Sequence, residues 1–243
     1  MQFIAQFRET LDVAQSDYVF HLKRARRVID VLAAKDRRLS EWFLTGDTKD
    51  EALLYPVYEA DGTPTTAAIA VLNEEYRNEE HLAKSIAMWN GHEQKKDGAA
   101  LSLAFDNDPL THDFDLSLGE EGADASRLGD FQSVAQVVAA IADAYAPSYV
   151  TAAPRKYSPK QVFDDKPGVG WMLYLPKVIT VQQVPEARAL ISVKARNGKE
   201  TGTIIASVTD AVFSVDNPEH VEAANRIEIR LVDQDLLPAY ADL

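Results

Sequence analysis

The chain has 243 residues, no cysteine, and 25 basic against 38 acidic side chains, a net charge of −13. That length suits one large domain or two small ones, with a core big enough to need no covalent staple. Missing cysteine excludes disulfides, thiolate metal sites and cysteine nucleophiles. The acidic balance argues against direct binding of nucleic acid or an anionic membrane surface, both of which need basic faces.

Met1 to Tyr18 lacks the charged, apolar and small-residue succession of a secretory signal. No run reaches the ~20 apolar residues of a membrane span, so a cytoplasmic protein is expected. Charge is uneven: residues 1–40 carry 8 basic and 5 acidic side chains, the remainder 17 and 33. The basic excess lies in His21 to Arg27 and Lys35 to Arg38, on or near a helix whose Val19, Leu22, Val28, Ile29 and Leu32 share one apolar face. The arginines fall mostly off that face, which reads as a solvated helix surface.

Met1 to Phe7 alternates loosely and predicts a first strand. Thr65 to Tyr76 predicts a helix with Pro64 at its first turn and Ala68, Val71, Leu72 and Tyr76 on one face. Three strands follow, at Ser85–Asn90, Leu101–Phe105 and Phe114–Leu118, each with apolar residues on alternate positions. Turn chemistry at Asp97-Gly98 and Asp106-Asn107-Asp108-Pro109 joins them into a meander, half-buried and antiparallel. Gly119 to Ala125 reads as an exposed acidic loop.

Asp130 caps a predicted helix in which Phe131, Val134, Val138, Ile141 and Tyr145 recur at helical steps, ended by Pro147. Ser148 to Ala153 is β-like, Pro154 to Gly168 a long loop, and Trp171 to Leu175 an apolar strand. Arg188–Lys194 and Gly202–Val208 form a plausible hairpin around Asn197-Gly198. Asn217-Pro218 opens a last helix through Val221, Ala224, Ile227 and Leu231, whose second half also alternates like a strand. No repeat or linker divides the chain. The expectation is α+β, with an antiparallel or mixed sheet and several packed helices in a single compact domain over residues 1–243.

Catalytic patterns fail in turn. Gly168-Val169-Gly170 precedes a strand and lacks the third glycine or the Lys-Ser/Thr of a phosphate cradle, and reads as a flexible lead-in. His21, His81, His92, His112 and His220 show no zinc spacing. Asp106, Asp108, His112, Asp113 and Asp115 are dense enough to suggest a hard cation, but lack the calcium-loop pattern. No Gly-x-Ser-x-Gly elbow exists. His112 and Asp113 are strand neighbours, which point to opposite faces. Glu74-Glu75 and Glu79-Glu80 read as solvated carboxylates. No catalytic residue, metal ligand or cofactor is assigned. Trp42, Trp89 and Trp171 read as packing residues, with an exposed Trp42-Phe43 pair the alternative, as a binding anchor.

Several segments together resemble a known family. They are Glu41 to Asp47 (EWFLTGD), Ser85 to Gly91 (SIAMWNG), Arg127 to Asp130 (RLGD), Pro167 to Pro176 (PGVGWMLYLP), and the ending from Asn217 through Pro238. The chain is similar to bacterial immunity protein family 52, of polymorphic toxin and type VI secretion systems, with residues 1–38 the least clearly matched. The resemblance implies a non-enzymatic inhibitor. Its partner would be a cognate toxin effector, a nuclease of the restriction-endonuclease-like class, bound inside the producing cell. It carries over no catalytic residues and no interface map. A nuclease presents a basic cleft to phosphates, and an acidic inhibitor suits such a cleft. Asp106, Asp108, Asp113, Asp115, Glu120, Glu121 and Asp124 are therefore the candidate toxin-binding residues, as a plug over the active site. Grip at a distant surface is the competing mechanism. A metal-dependent hydrolase built on residues 106–115, or a non-catalytic adaptor of the secretion apparatus, are the rival functions. Oligomeric state is not legible.

Overall fold

The computed structural model describes residues 1–10, 13–77, 83–106, 110–122, 125–195 and 198–243. Nine strands, β1 (Gln2–Phe7), β2 (Phe43–Leu44), β3 (Lys84–Trp89), β4 (Ala99–Phe105), β5 (His112–Leu118), β6 (Tyr149–Ala153), β7 (Met172–Leu175), β8 (Ala189–Lys194) and β9 (Glu200–Ala206), form one sheet. Its order is β2-β3-β4-β5-β1-β6-β7-β9-β8, and every strand pair is antiparallel. The helices are α1 (Tyr18–Lys35), α2 (Lys49–Ala52), α3 (Thr66–Glu75), α4 (Phe131–Tyr145) and α5 (Pro218–Asp233). The α+β expectation holds. Of its two sheet options, the ladders are antiparallel, with one isolated parallel bridge between Ala152 and Gly170.

The meander β3-β4-β5 forms because one side of each strand is apolar. Ile86, Met88, Leu101, Leu103, Phe105, Phe114 and Leu116 are all buried, while the residues between them are half-buried or exposed. Burying seven such side chains contributes of order 10 kcal/mol before entropy is charged. On this inner side α1 and α4 pack against each other, and α4 lies along β1, β6, β7, β8 and β9. Asp130 caps α4 by accepting the Ser133 N–H at 2.9 Å. The helix ends at Ala146, which takes a left-handed φ of 46° just before Pro147.

Several local expectations change. Val19 is 41% exposed, and Tyr18, His21 and Ala25 complete the buried face of α1 instead. Three basic residues of α1 are tied to neighbours, while Lys23 is exposed as expected. Arg24 donates to the Ala144 carbonyl at 2.6 Å and pairs with Glu9, Arg27 pairs with Asp143, and Lys35 bonds Gln136. Helix α1 thus places its cations against the acidic and carbonyl groups of α4. Pro64 precedes the helix, and Thr65 is the cap, accepting the Ala68 N–H. Residues 155–160 of the predicted long loop form a 3-10 helix, and α5 stays helical to Asp233. Strand β2 and the short α2 have no counterpart in the sequence reading. Asn107 to Pro109, Glu79-Glu80, His81 and Asn197 lie outside the described residues.

Gly168-Val169-Gly170 is not a flexible lead-in. A Cβ on Gly170 would lie 2.4 Å from the Ala153 Cβ, and its φ is +53°. The Val169 N–H donates to Glu228 at 2.9 Å. Glu228, 1% exposed, also accepts the Val162 N–H at 2.8 Å and the Tyr157 hydroxyl. This one carboxylate therefore ties α5 to residues 155–170, and burial followed by the Glu228 charge raises the Tyr157 hydroxyl above its usual range. Trp42 and Trp171 are buried and donate their Nε1–H groups to the Leu39 and Val208 carbonyls. Trp42-Phe43 is thus no exposed anchor.

Candidate functional site: an uncovered acidic sheet face

The outer side of the sheet is covered over only part of its width. Over β6, β7 and β9 it meets the segments 155–170 and 177–184 and the C-terminal turn. Tyr240 packs on Tyr149 with ring centroids 6.0 Å apart, and the Ile179 N–H donates to Thr203. Over β3, β4, β5 and β1 no helix covers the outer side among the described residues. Its side chains come from alternate positions of four strands: Ser85, Ala87 and Trp89; Ala100, Ser102 and Ala104; Asp113, Asp115 and Ser117; Gln2, Ile4 and Gln6. None is basic, and only Asp113 and Asp115 are charged.

Those two carboxylates are held in place. Gln2 Nε2 donates to Asp115 Oδ2 at 2.8 Å, and Gln6 Nε2 donates to Asp113 Oδ1 at 3.0 Å. Ser117 Oγ donates to Asp115 Oδ1 at 3.3 Å. The spacing is a product of the pleat: residues two apart on β5 share a face, and residues four apart on β1 bracket them. Where the covering layer begins, a cleft of about 290 Å³ opens between Gln2, Ile4, Thr151 and Ala153 on one side and Arg155, Tyr157, Gln161, Asp164 and Tyr240 on the other. The face thus runs from a half-buried Trp89 at one margin, through the two aspartates, to an aromatic-walled step at the other.

The seven acidic residues singled out in the sequence are not one cluster. Asp113 and Asp115 are at the centre of the face. Asp106 lies just beyond the end of β4, where its carbonyl accepts from Gln15 Nε2 at 2.8 Å. Glu121 lies past the opposite end of β5, about 20 Å away along a seven-residue strand, beside Lys96 at 3.4 Å. Glu120 turns inward, against the expectation of an exposed loop. It accepts the Arg127 N–H at 2.8 Å and sits 3.7 Å from the amino group of Met1, and burial raises its carboxyl above the ordinary carboxylate range. Asp108 and Asp124 lie outside the described residues.

His112 points inward, opposite to Asp113, and packs edge-on against Phe7 and Phe105. Burial lowers its pKa, as it does that of His21, whose ring lies 4.1 Å from Phe105. Among the described residues no three His, Asp or Glu side chains gather to hold a metal ion. The glutamines that fix the two aspartates were missed in the sequence. Their signal was the four-residue spacing of Gln2 and Gln6 within a strand, which puts both on one face.

Residues 17–240 match the sequence profile of Imm52, Immunity protein 52, and the chain belongs to that family. It is by class an immunity protein, a non-catalytic antidote. No curated protein matches the chain. Among solved structures it is similar to the Pseudomonas aeruginosa T6SS protein PA0821, with a TM-score of 0.48 and 10% identity, over 93% of this chain and 75% of that one. No helix among the described residues is long and apolar enough to cross a membrane.

Proposed function

We propose that this immunity protein neutralises a nuclease-type toxin of a type VI secretion or related polymorphic toxin system, in the cytoplasm of the cell that makes it. The toxin's basic, phosphate-binding surface docks on the uncovered face of β3, β4, β5 and β1. The observation that carries this reading is the charge pattern of that face: two fixed carboxylates and no cation among its twelve outward positions. Glutamine-held carboxylates are ordered before binding, so less side-chain entropy is lost on association. The chain's net charge of −13 steers a basic partner toward it. Asp106 and Glu121 extend the acidic surface beyond the two ends of β5 in this reading, and Glu120 supports it from within.

The test is the double variant Asp113→Arg/Asp115→Arg, with the toxin encoded beside this gene. The expected result is an unchanged circular dichroism spectrum, a Kd raised at least a hundredfold, and DNA cleavage restored in the mixture. An unchanged Kd overturns the docking face. Intact binding to a toxin that cleaves no nucleic acid overturns the nuclease assignment.

A further inference from the structure

The two edges of the sheet are finished differently. At the β2–β3 edge the outward backbone groups have partners. The Leu44 N–H donates to the Tyr55 carbonyl at 3.0 Å, and the Thr45 N–H to the Ala87 carbonyl at 3.1 Å. The Ser85 N–H donates to the Tyr76 hydroxyl at 3.0 Å, and Pro56 bridges Phe43. At the other edge, β8 pairs with β9 along its whole length. Among the described residues no backbone hydrogen bond crosses its outer side. The sequence there, Ala189-Leu190-Ile191-Ser192-Val193-Lys194, holds no proline, and its first three residues are only half-buried. A strand in that state is a template for another strand.

We infer that the outer edge of β8 receives an extended, acidic segment of the toxin-bearing partner as a tenth strand. The inference rests on the antidote reading above but uses a different surface. A row of alternating N–H and C=O groups is satisfied by an extended backbone and by little else. Charge selects the kind of segment. In a chain with 13 excess negative charges, cations outnumber carboxylates around this edge: Arg188 and Lys194 flank it and Lys199 follows in the hairpin, against Glu200 in register with Lys194 and Glu219 in the cleft beside Arg188, where Glu222 is taken by Arg226. The neighbouring Glu186 is taken by Arg230 at 2.7 Å. Arg188 and Lys194 form no ion pair among the described residues. The same flanks disfavour a second copy of this chain. With Ile191 opposite Ile191 of an antiparallel twin, each Lys194 lies directly opposite the twin's Arg188, and like charges so placed repel. The register shift at Val193 and Lys194 limits the template to its first four residues.

The experiment uses the full chain and its complex with the toxin encoded by the neighbouring gene. Hydrogen exchange is followed by mass spectrometry on both, beside the variants Ile191→Pro, Ser192→Pro and Arg188→Glu/Lys194→Glu. Consecutive strand residues aim their N–H groups at opposite edges. One of the two prolines therefore loosens the β8–β9 pairing and the other removes only an outward donor. The expected results are slowed exchange over residues 189–192 in the complex, and a Kd raised at least tenfold by the proline variant that keeps its thermal stability. The charge reversal, which leaves the strand backbone intact, has the same effect on Kd. Unchanged exchange over 189–192, with wild-type Kd for the charge reversal, overturns the inference. If Asp113→Arg/Asp115→Arg then abolishes binding, the antidote reading survives that failure. No complex with the wild-type chain sinks both. A dimer of the free protein that the charge reversal leaves intact and the outward-donor proline dissociates assigns the edge to a second copy and overturns the acidic segment.

Discussion

Glu228 is the residue with most at stake in the covering layer. A buried carboxylate is tolerable only when donors surround it, and this one has the Val162 and Val169 N–H groups and the Tyr157 hydroxyl. Removing the acceptor leaves the Val162 and Val169 N–H groups without it, each at a cost of about 1–3 kcal/mol when shut off from water, while the Tyr157 hydroxyl keeps Asn225 Oδ1 at 3.0 Å. Glu228→Ala is expected to lower the unfolding free energy by about 3–5 kcal/mol in urea titration. Glu228→Gln, which keeps the shape, is expected to lose less. Gly170→Ala meets the Ala153 Cβ and a positive φ together, and loses at least ~2 kcal/mol by the same measurement. Neither site was visible in the sequence. Glu228 stands four residues after Ala224 and three before Leu231, a spacing that puts it on the buried face, but a carboxylate in a helix reads as solvated. Gly170 belonged to a pattern whose phosphate-binding reading failed, and the reason for the glycine is the passage of β6 beside it.

Elements were legible where their period was complete. Helix α4 shows four helical turns of apolar spacing, and β3, β4 and β5 show strict alternation, so their existence and buried faces followed from the sequence. Strand β2 has two residues, too few to have a period. Sheet order was not legible, because β1 pairs with β5 and β6 through residues more than 100 positions away. The uncovered face shared that fate: the alternation identified its wet positions, but only the register brings Gln2 to Asp115 and Gln6 to Asp113. An element-scale prediction follows from the α4 cap. Asp130→Ala removes the acceptor for Ser133 and is expected to cost about 1 kcal/mol of stability. Toxin affinity stays unchanged, since the cap lies away from the outer face.

At the scale of the whole molecule, acid acts in two windows. Burial holds the His21 and His112 pKa values below the usual 6.5. The unfolded chain therefore binds more protons as pH falls past 6.5, and stability declines from there downward. Asp36 belongs to a second window. Burial alone would raise its carboxyl, but hydrogen bonds from Arg38 and Arg127 outweigh that and hold it at about 2, against an ordinary 3.8. Its contribution is present above 3.8 and is lost as pH falls toward 2. Urea midpoints measured from pH 7 to 2 are expected to fall in both windows, and Asp36→Asn is expected to flatten only the lower one. Salt tests the charge argument independently. Raising ionic strength from 50 to 500 mM should slow toxin association far more than it speeds dissociation. Equal effects on the two rates would speak against steering.

The place of β1 in the sheet has a consequence for when the antidote becomes competent. The strand closest to the amino terminus lies in the interior of the sheet, with β5 on one side and β6 on the other. It cannot be paired on both edges until the ribosome has released residue 153, whereas its pairing with β5 needs the chain only to residue 118. At about 5–20 residues per second, that is ~8–30 s of synthesis in which β1 has at most one of its two neighbours. Non-local pairing of this kind also slows folding after release. Completion of the sheet is thus a late event in the life of each chain. A nascent fragment that stops short of β6 holds both aspartates but lacks the second neighbour of the strand that fixes them.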